Sequence, residues 1–234
     1  MTRVLVIGDV HEPAAHPGYL AFCQSLAEKW ETDRVVFIGD ILDMHCISFH
    51  AKEPDAPGAE DEAAETFERV RRWHDAFNPA TVTIGNHDAR VYRLGASVSI
   101  PPRFIKGYSE AWGTPKWKWV QDVTIDKVQY IHQGGGGMAP ALAAVKKALV
   151  SVVCGHNHCA GGVHYISGPN GVRLFGLDTG CGIDEEHAAM RYGKGLWQRP
   201  NLGAGVVIDG VGYYEPMPSG RGEPFHRSKF RGKR

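Results

Sequence analysis

The sequence predicts an α/β fold, α+β-like in its second half, arranged as a two-layered mixed sheet in one domain. Three observations lead there. Up to Asp88, short apolar runs alternate with amphipathic stretches in the order strand, helix, strand, helix, strand, which implies parallel strands with helical crossovers. The second half is denser in strand candidates, joined by turn-rich segments. Several apolar runs stop at a glycine that is followed at once by Asp, Asn or His. A length of 234 residues is enough to bury a proper core.

Val4 to Ile7 is a short β-branched run that reads as a buried strand ending at Gly8. Residues 17–30 read as a helix, with Pro17 in its first turn and Tyr19, Cys23, Leu26 and Trp30 recurring at helical spacing. "RVVFIGD" (34–40) is a second buried strand. Residues 60–77 predict a second helix with Ala63, Phe67, Val70 and Phe77 on one stripe and Pro79 after its end. "TVTIGNHD" (81–88) is a third strand running into a polar cluster. "KWKWVQDVTI" and "KVQYIHQG" read as two strands around Asp126–Lys127, with Trp117 and Trp119 on one face as core. "GGGGMAPALAAVKKAL" is a glycine-rich loop, suited to a phosphate or simply flexible, followed by a helix. "VSVVCGHNH", "GVHYISG", "VRLFGLDTG" and "AGVVIDGVGYYEP" complete the strand candidates. The least regular stretches are 43–60 and 97–116.

Composition excludes more than it selects. Hydrophobic residues make up 43% and charged residues 22%, ordinary values for a soluble globular chain. Lys plus Arg equals Asp plus Glu at 26 each, so net charge points to no partner. Charge is nevertheless uneven: residues 53–68 are acidic, and "RGEPFHRSKFRGKR" at the end is basic. Residues 1–220 are expected to form the single domain and 221–234 a flexible basic tail. A solvated terminus is the favoured reading of that tail, ahead of a weak nucleic-acid contact. Five cysteines with no disulfide-like spacing, no signal segment and no bilayer-length apolar run fit a soluble protein of a reducing cytoplasm, away from membranes.

The chemistry lies at the strand ends. "GDVH", "GDILD", "GNHD" and "GHNH" each follow a strand, and "YIHQGGGG" places His132 at the end of another. The carboxyl ends of neighbouring parallel strands lie side by side, where ligands bind, so these clusters are expected to converge on one edge. Asp9 and His11 are two apart and would face the same way in extended backbone, as would His156 and His158. Imidazoles, carboxylates and one amide form a mixed nitrogen and oxygen donor set suited to Mn²⁺, Fe²⁺ or Zn²⁺. The candidates outnumber a tetrahedral site and suit two ions sharing a carboxylate. Such a pair, roughly 3.5–4 Å apart, can hold a hydroxide and clamp the oxygens of an in-line phosphoryl displacement.

Together these motifs resemble the calcineurin-like metallophosphoesterase family, whose pattern runs Asp-x-His, Gly-Asp-x-x-Asp, Gly-Asn-His-Asp/Glu, a lone His and Gly-His-x-His. The match spans Asp9 to His158 in order. The resemblance implies two mixed sheets packed as a sandwich flanked by helices, with a dinuclear metal site at the strand C-terminal ends. It implies that Asp9, His11 and His158 hold one ion, that Asn86, His132 and His156 hold the other, and that Asp40 bridges them. It makes His87 the proton donor to the leaving oxygen, Asp43 the carboxylate that orients it, and Asp88 a supporting acid.

Two departures narrow this expectation. Met44 and His45 follow "GDILD" where the phosphoprotein phosphatases of this family carry a phosphate-gripping Arg, which argues against that activity. "LDTGC" (177–181) is expected to be a strand-to-turn feature without a metal ligand. Cys154 and Cys159 flank the His pair, but a buried cysteine at a strand end is favoured over a zinc thiolate. His45, His50, His164 and His187 read as ordinary loop or surface residues. The expected activity is a two-metal phosphohydrolase, with Mn²⁺ favoured, acting on a small phosphoester or nucleotide. A dinucleoside polyphosphate hydrolase, a nuclease and a non-catalytic metal-binding scaffold are the alternatives.

Overall fold

The computed structural model describes residues 2–48, 57–187 and 199–218. Its elements in chain order are β1 (Arg3–Ile7), α1 (Tyr19–Trp30), β2 (Arg34–Phe37), α2 (Ala59–Ala76), β3 (Ala80–Thr83), α3 (Arg90–Ser97), α4 (Tyr108–Ala111) and β4 (Trp117–Val120). They continue with β5 (Asp122–Ile125), β6 (Val128–Ile131), α5 (Pro140–Ala148), β7 (Ser151–Cys154), β8 (Gly161–Ser167), β9 (Arg173–Thr179), β10 (Gly203–Ile208) and β11 (Val211–Pro216). One sheet has the order β11-β10-β1-β2-β3-β4, the other β5-β6-β7-β9-β8. Both are mixed: β1 to β4 run parallel, as do β6, β7 and β9, while β10, β11, β5 and β8 pair antiparallel.

Alternation along β1 explains the layering. Leu5 and Ile7 join a core with Tyr19, Phe22 and Leu26 of α1 and Val70 and Trp73 of α2. Val4 and Val6 point the other way, into a second core with Tyr130, Val153, Phe175 and Leu177 of the facing sheet. β2 does the same, with Phe37 toward the helices and Val36 toward the sandwich interior. Because both faces of these strands are covered, they are continuously apolar in sequence. The two mixed sheets therefore pack as a sandwich flanked by helices.

The structure corrects several element expectations. "KWKWVQDVTI" is not one strand: β4 pairs with β3 in the first sheet, and β5 pairs with β6 in the second. The chain changes sheet at the exposed Gln121–Asp122 pair. Trp117 and Trp119 do belong to the helix-side core. "AGVVIDGVGYYEP" is a hairpin whose turn residues Asp209 and Gly210 have φ of 50° and 78°, the left-handed pair that two-residue hairpins favour. On α2 the buried stripe is Glu62, Thr66, Val70 and Trp73, with Ala63 and Phe67 flanking it. A carboxylate occupies the buried face because Glu62 accepts the backbone N–H groups of His45 and Cys46, both at 2.6 Å. The expected irregular stretches hold 3-10 turns at His45–Ile47 and Pro102–Phe104 as well as α4. Helix α3, which begins two residues after "GNHD", spans only eight residues. Among the described residues no helix is long and apolar enough to cross a membrane. The basic tail lies outside the described residues, as does His50.

Candidate metal centre

The expected clusters do converge, although not from one sheet. β1, β2 and β3 of the first sheet deliver Asp9, His11, Asp40, Asp43, Asn86 and His87 just beyond their C-terminal ends. β6 and β7 of the second sheet deliver His132, His156 and His158. The site therefore lies at the shared end of the sandwich. Nor is the backbone extended there. His11, Asp40 and His156 have φ of 54°, 49° and 68°, so the chain turns sharply at three candidate ligands. Asp9 and His11 meet because of that turn, and not through strand alternation. Two glycines are required by close approach. A Cβ on Gly85 would run into the Asp40 carboxylate, and one on Gly155 into the Asp9 carboxylate.

Of three groups of potential donor atoms among the described residues, two share the Asp40 carboxylate, and the third, His11, Asp43 and His87, shares His11 with the first. Asp9, His11, Asp40 and His158 each offer a ligand atom within 4.8 Å of the others, as do Asp40, His132 and His156. Asn86 joins the second group, its Oδ1 lying 3.1 Å from His132 Nε2 and 2.8 Å from His156 Nδ1. Asp40 divides its oxygens. Oδ1 accepts the His87 backbone N–H at 2.7 Å, while Oδ2 stands 3.2 Å from His132 Nε2 and 3.7 Å from His11 Nε2. Asp9 Oδ2 accepts the His156 backbone N–H at 2.7 Å, and its Oδ1 is buried without a hydrogen-bond partner.

This arrangement fits a cation. His132 Nδ1 lies 2.8 Å from the Ile38 carbonyl, which requires the proton there, so Nε2, facing Asp40 and Asn86, is the nitrogen a metal would take in exchange for a proton. His11 Nδ1 lies 3.0 Å from Asp43 Oδ1, so its Nε2 lone pair faces His158 Nε2 at 3.1 Å. Without protons on these Nε2 atoms, acceptors would face acceptors inside a buried site, and a divalent ion would take the place of those protons. Imidazole, carboxylate and amide donors match borderline ions of the Mn²⁺, Fe²⁺ and Zn²⁺ kind.

The electrostatics agree. Burial disfavours a charged His132, but the Asp40 and Asp9 carboxylates outweigh it and push its pKa up to about 10, the mark of a site short of positive charge. Burial also opposes ionisation of Asp40 and Asp43, yet the surrounding imidazoles hold both carboxyls well below the usual range. Burial lowers His11 and His156. Asp88 is pushed up to about 7 by burial and by Asp40. Its carboxyl accepts the backbone N–H groups of Asp40, Leu42 and Gly85 at 2.8, 3.1 and 2.9 Å, tying the loops after β2 and β3 together.

Asp43 does more than the sequence suggested. Its Oδ1 lies 3.0 Å from Nδ1 of both His11 and His87. One carboxylate oxygen therefore orients a candidate ligand and the candidate proton donor, whose rings meet edge to face at 4.4 Å. Burial lowers the His87 pKa, but Asp43 and Asp40 more than compensate and the net direction is upward. Arg90 was missed altogether. Its guanidinium donates to the Asp43 and Met44 carbonyls and approaches His87 Nε2 at 3.2 Å. The legible signal was the three-residue spacing from His87 to Arg90 in "GNHDAR", one helical turn.

The remaining candidates stay outside. Cys154 is buried against Asp178, with Sγ 3.3 Å from its Oδ1, and among the described residues neither Cys154 nor Cys159 belongs to a potential ligand group. His45, His164 and His187 belong to none either. "LDTGC" ends β9 and runs into a bridge between Cys181 and Asp9, and the next residue, Gly182, donates its N–H to the Asp9 carbonyl at 2.8 Å. The glycine-rich loop borders a cavity of about 410 Å³ together with His156 and His158.

The chain is similar in shape to several solved structures. A metallophosphoesterase from Sphaerobacter thermophilus shares 12% identity over 93% of this chain and 89% of that one, with a TM-score of 0.45. Vps29 from Chaetomium thermophilum shares 12% over 94% and 91%, with a TM-score of 0.47. YfcE, a phosphoesterase from E. coli, shares 13% over 89% of each chain, with a TM-score of 0.42. No curated protein matches the chain. The family model described as calcineurin-like phosphoesterase matches residues 2–199, and the chain belongs to that family.

Proposed function

We propose that the protein is a two-metal phosphohydrolase acting on a nucleotide-type phosphoester, with Mn²⁺ the favoured metal. The observation that carries this reading is the pair of donor groups sharing Asp40 beside an imidazole held by its own carboxylate. Asp9, His11 and His158 would hold one ion, Asn86, His132 and His156 the other, and Asp40 both. When bound, the ions supply Lewis acidity toward the phosphoryl oxygens and acidify water.

The chain's own residues do the rest. Asp43 fixes the His87 ring through Nδ1 and favours its charged form, so that Nε2, which Arg90 approaches at 3.2 Å, would turn its proton to the leaving oxygen once substrate is bound. A water oxygen bonds to phosphorus as the bond to the leaving oxygen breaks. His87 gives that oxygen its proton, and the proton lost by water returns to solvent, which later reprotonates His87. An open groove of about 650 Å³ beside Asn86 and His132, bordered by Tyr92, Tyr108, Gln121 and Gln133, supports a nucleotide. Aromatic faces and amide edges are what a base can stack on and pair with.

The test is turnover of para-nitrophenyl phosphate and bis(para-nitrophenyl) phosphate by protein stripped of metal and reloaded with Mn²⁺. Hydrolysis of at least one ester is expected to require metal, and Asp40→Asn should lower it by about 100-fold or more. Full activity in Asp40→Asn would overturn the two-metal mechanism, and metal-loaded protein inert toward both esters and toward nucleotides would overturn the reading in favour of a binding protein.

A further inference from the structure

We propose that Arg90 and Arg93 form a leaving-group subsite that selects phosphoesters whose leaving group carries a second phosphate. The proposal rests on the phosphohydrolase reading above. A cavity of about 300 Å³ opens beside the metal centre and is lined by Asn86, His87, Arg90 and Arg93, with Ile47 and Leu94 as apolar wall. That volume is at the small end of ligand cavities, which run to about 1,000 Å³. Among the described residues no carboxylate lines it.

Position assigns the role. The cavity adjoins His87, so whatever is attached to the oxygen that His87 protonates extends into it. The two arginines stand one turn apart at the start of α3 and share a face. Arg90 is half-buried and oriented by the carbonyls of Asp43 and Met44, with NH2 at 3.2 Å from His87 Nε2. Arg93 is exposed and meets the Asn86 carbonyl only at 3.4 Å, which leaves its donors to a ligand. Two guanidinium groups with no facing carboxylate among the described residues suit an anion, and their planar forks match phosphate oxygens in pairs. An uncharged leaving group would use neither. A second phosphate engages both, whether it is linked as an anhydride or carried elsewhere on the nucleoside. The pair also supplies, from the helix after "GNHD", positive charge that the segment after "GDILD" lacks.

The experiment compares kcat/KM for phosphate release from thymidine monophosphate, thymidine diphosphate and thymidine 3′,5′-bisphosphate by the Mn²⁺-loaded protein. Wild type is expected to favour at least one of the doubly phosphorylated substrates over the monophosphate by about tenfold, the scale of one charge-assisted hydrogen bond. Whether the diphosphate or the bisphosphate leads separates an anhydride from a distal phosphate. Arg93→Ala should erase most of that preference and Arg93→Glu should invert it. Arg90→Lys, which keeps charge and loses the fork, should reduce it. Arg103→Ala, an exposed guanidinium outside the cavity lining, should preserve it. Equal use of all three substrates by wild type, or a preference that survives Arg93→Glu, overturns the subsite while leaving the phosphohydrolase reading intact. Failure of the metal-loaded wild type on all three and on both aryl esters overturns both.

Discussion

At the residue scale, the centre depends on side chains that serve two neighbours at once. Asp40 stands between the two donor groups, and Asp43 between a candidate ligand and the candidate acid. The left-handed backbone at His11, Asp40 and His156 costs about 1 kcal/mol or more at each non-glycine residue. It is held in place by specific bonds. The Asp40 carbonyl accepts the N–H groups of Val10 and His11 at 3.0 and 2.9 Å, and its own N–H donates to Asp88. A role for His87 in protonating the leaving oxygen makes a specific prediction. His87→Ala should cost about 10²–10⁴-fold in kcat with an alkyl phosphate, whose alkoxide needs a proton, and far less with para-nitrophenyl phosphate, whose phenolate leaves without one. Equal losses on both esters, measured under saturating metal, would remove His87 from that role.

At the element scale, buried carboxylates position helices and turns from a distance. Glu62 of α2 holds the turn after Asp43, and Asp178 of β9 reaches the first turn of α5, accepting the Ala141 N–H at 2.9 Å. Burial raises the Asp178 pKa, against the Ala141 and Cys154 hydrogen bonds that oppose it. The sign follows from linkage. A carboxyl with a raised folded-state pKa contributes its full stability below the unfolded value of about 3.9, and that contribution is lost as pH rises through the folded value. Asp178→Asn keeps an acceptor for Ala141 and never ionises. Its Tm relative to wild type is therefore expected to rise as pH is raised above about 4, with no advantage at the acid end. A difference independent of pH in thermal melts would show that Asp178 does not titrate with folding.

At the scale of the whole molecule, the centre joins two sheets that share a core but no backbone pairing among their named strands. The first donor group draws Asp9, His11 and Asp40 from one sheet and His158 from the other. The second draws Asp40 from one and His132 and His156 from the other. Ions bound there would cross-link the sandwich at its end. Metal at 100 times its Kd should stabilise the fold by about 2.7 kcal/mol, or about 5–10 °C in Tm for a chain of this size. The measurement is a melt of chelator-treated protein with and without Mn²⁺. Asp40→Asn, which weakens both groups, should lose most of the gain. An unchanged Tm in wild type at saturating Mn²⁺ would mean that the groups do not hold metal across the two sheets.

What the sequence by itself determined is the set of candidate donors and its placement at strand ends. A glycine after an apolar run followed by Asp, Asn or His is a local signal, and glycine is needed there because a carboxylate from another loop occupies the space of its Cβ, as at Gly85 and Gly155. The parallel first half and the tryptophan core positions were legible for the same reason, since strand alternation and helical spacing are set by near neighbours. The tertiary structure decided everything that depends on distances between remote segments. It split "KWKWVQDVTI" between sheets, shared the site between both, gave Asp43 a second imidazole and brought Arg90 over His87. It also placed Glu62 on a buried helix face, against the pattern that apolar residues alone predict. Such contacts leave no periodic trace, because each is one polar group meeting another that the chain delivers from elsewhere.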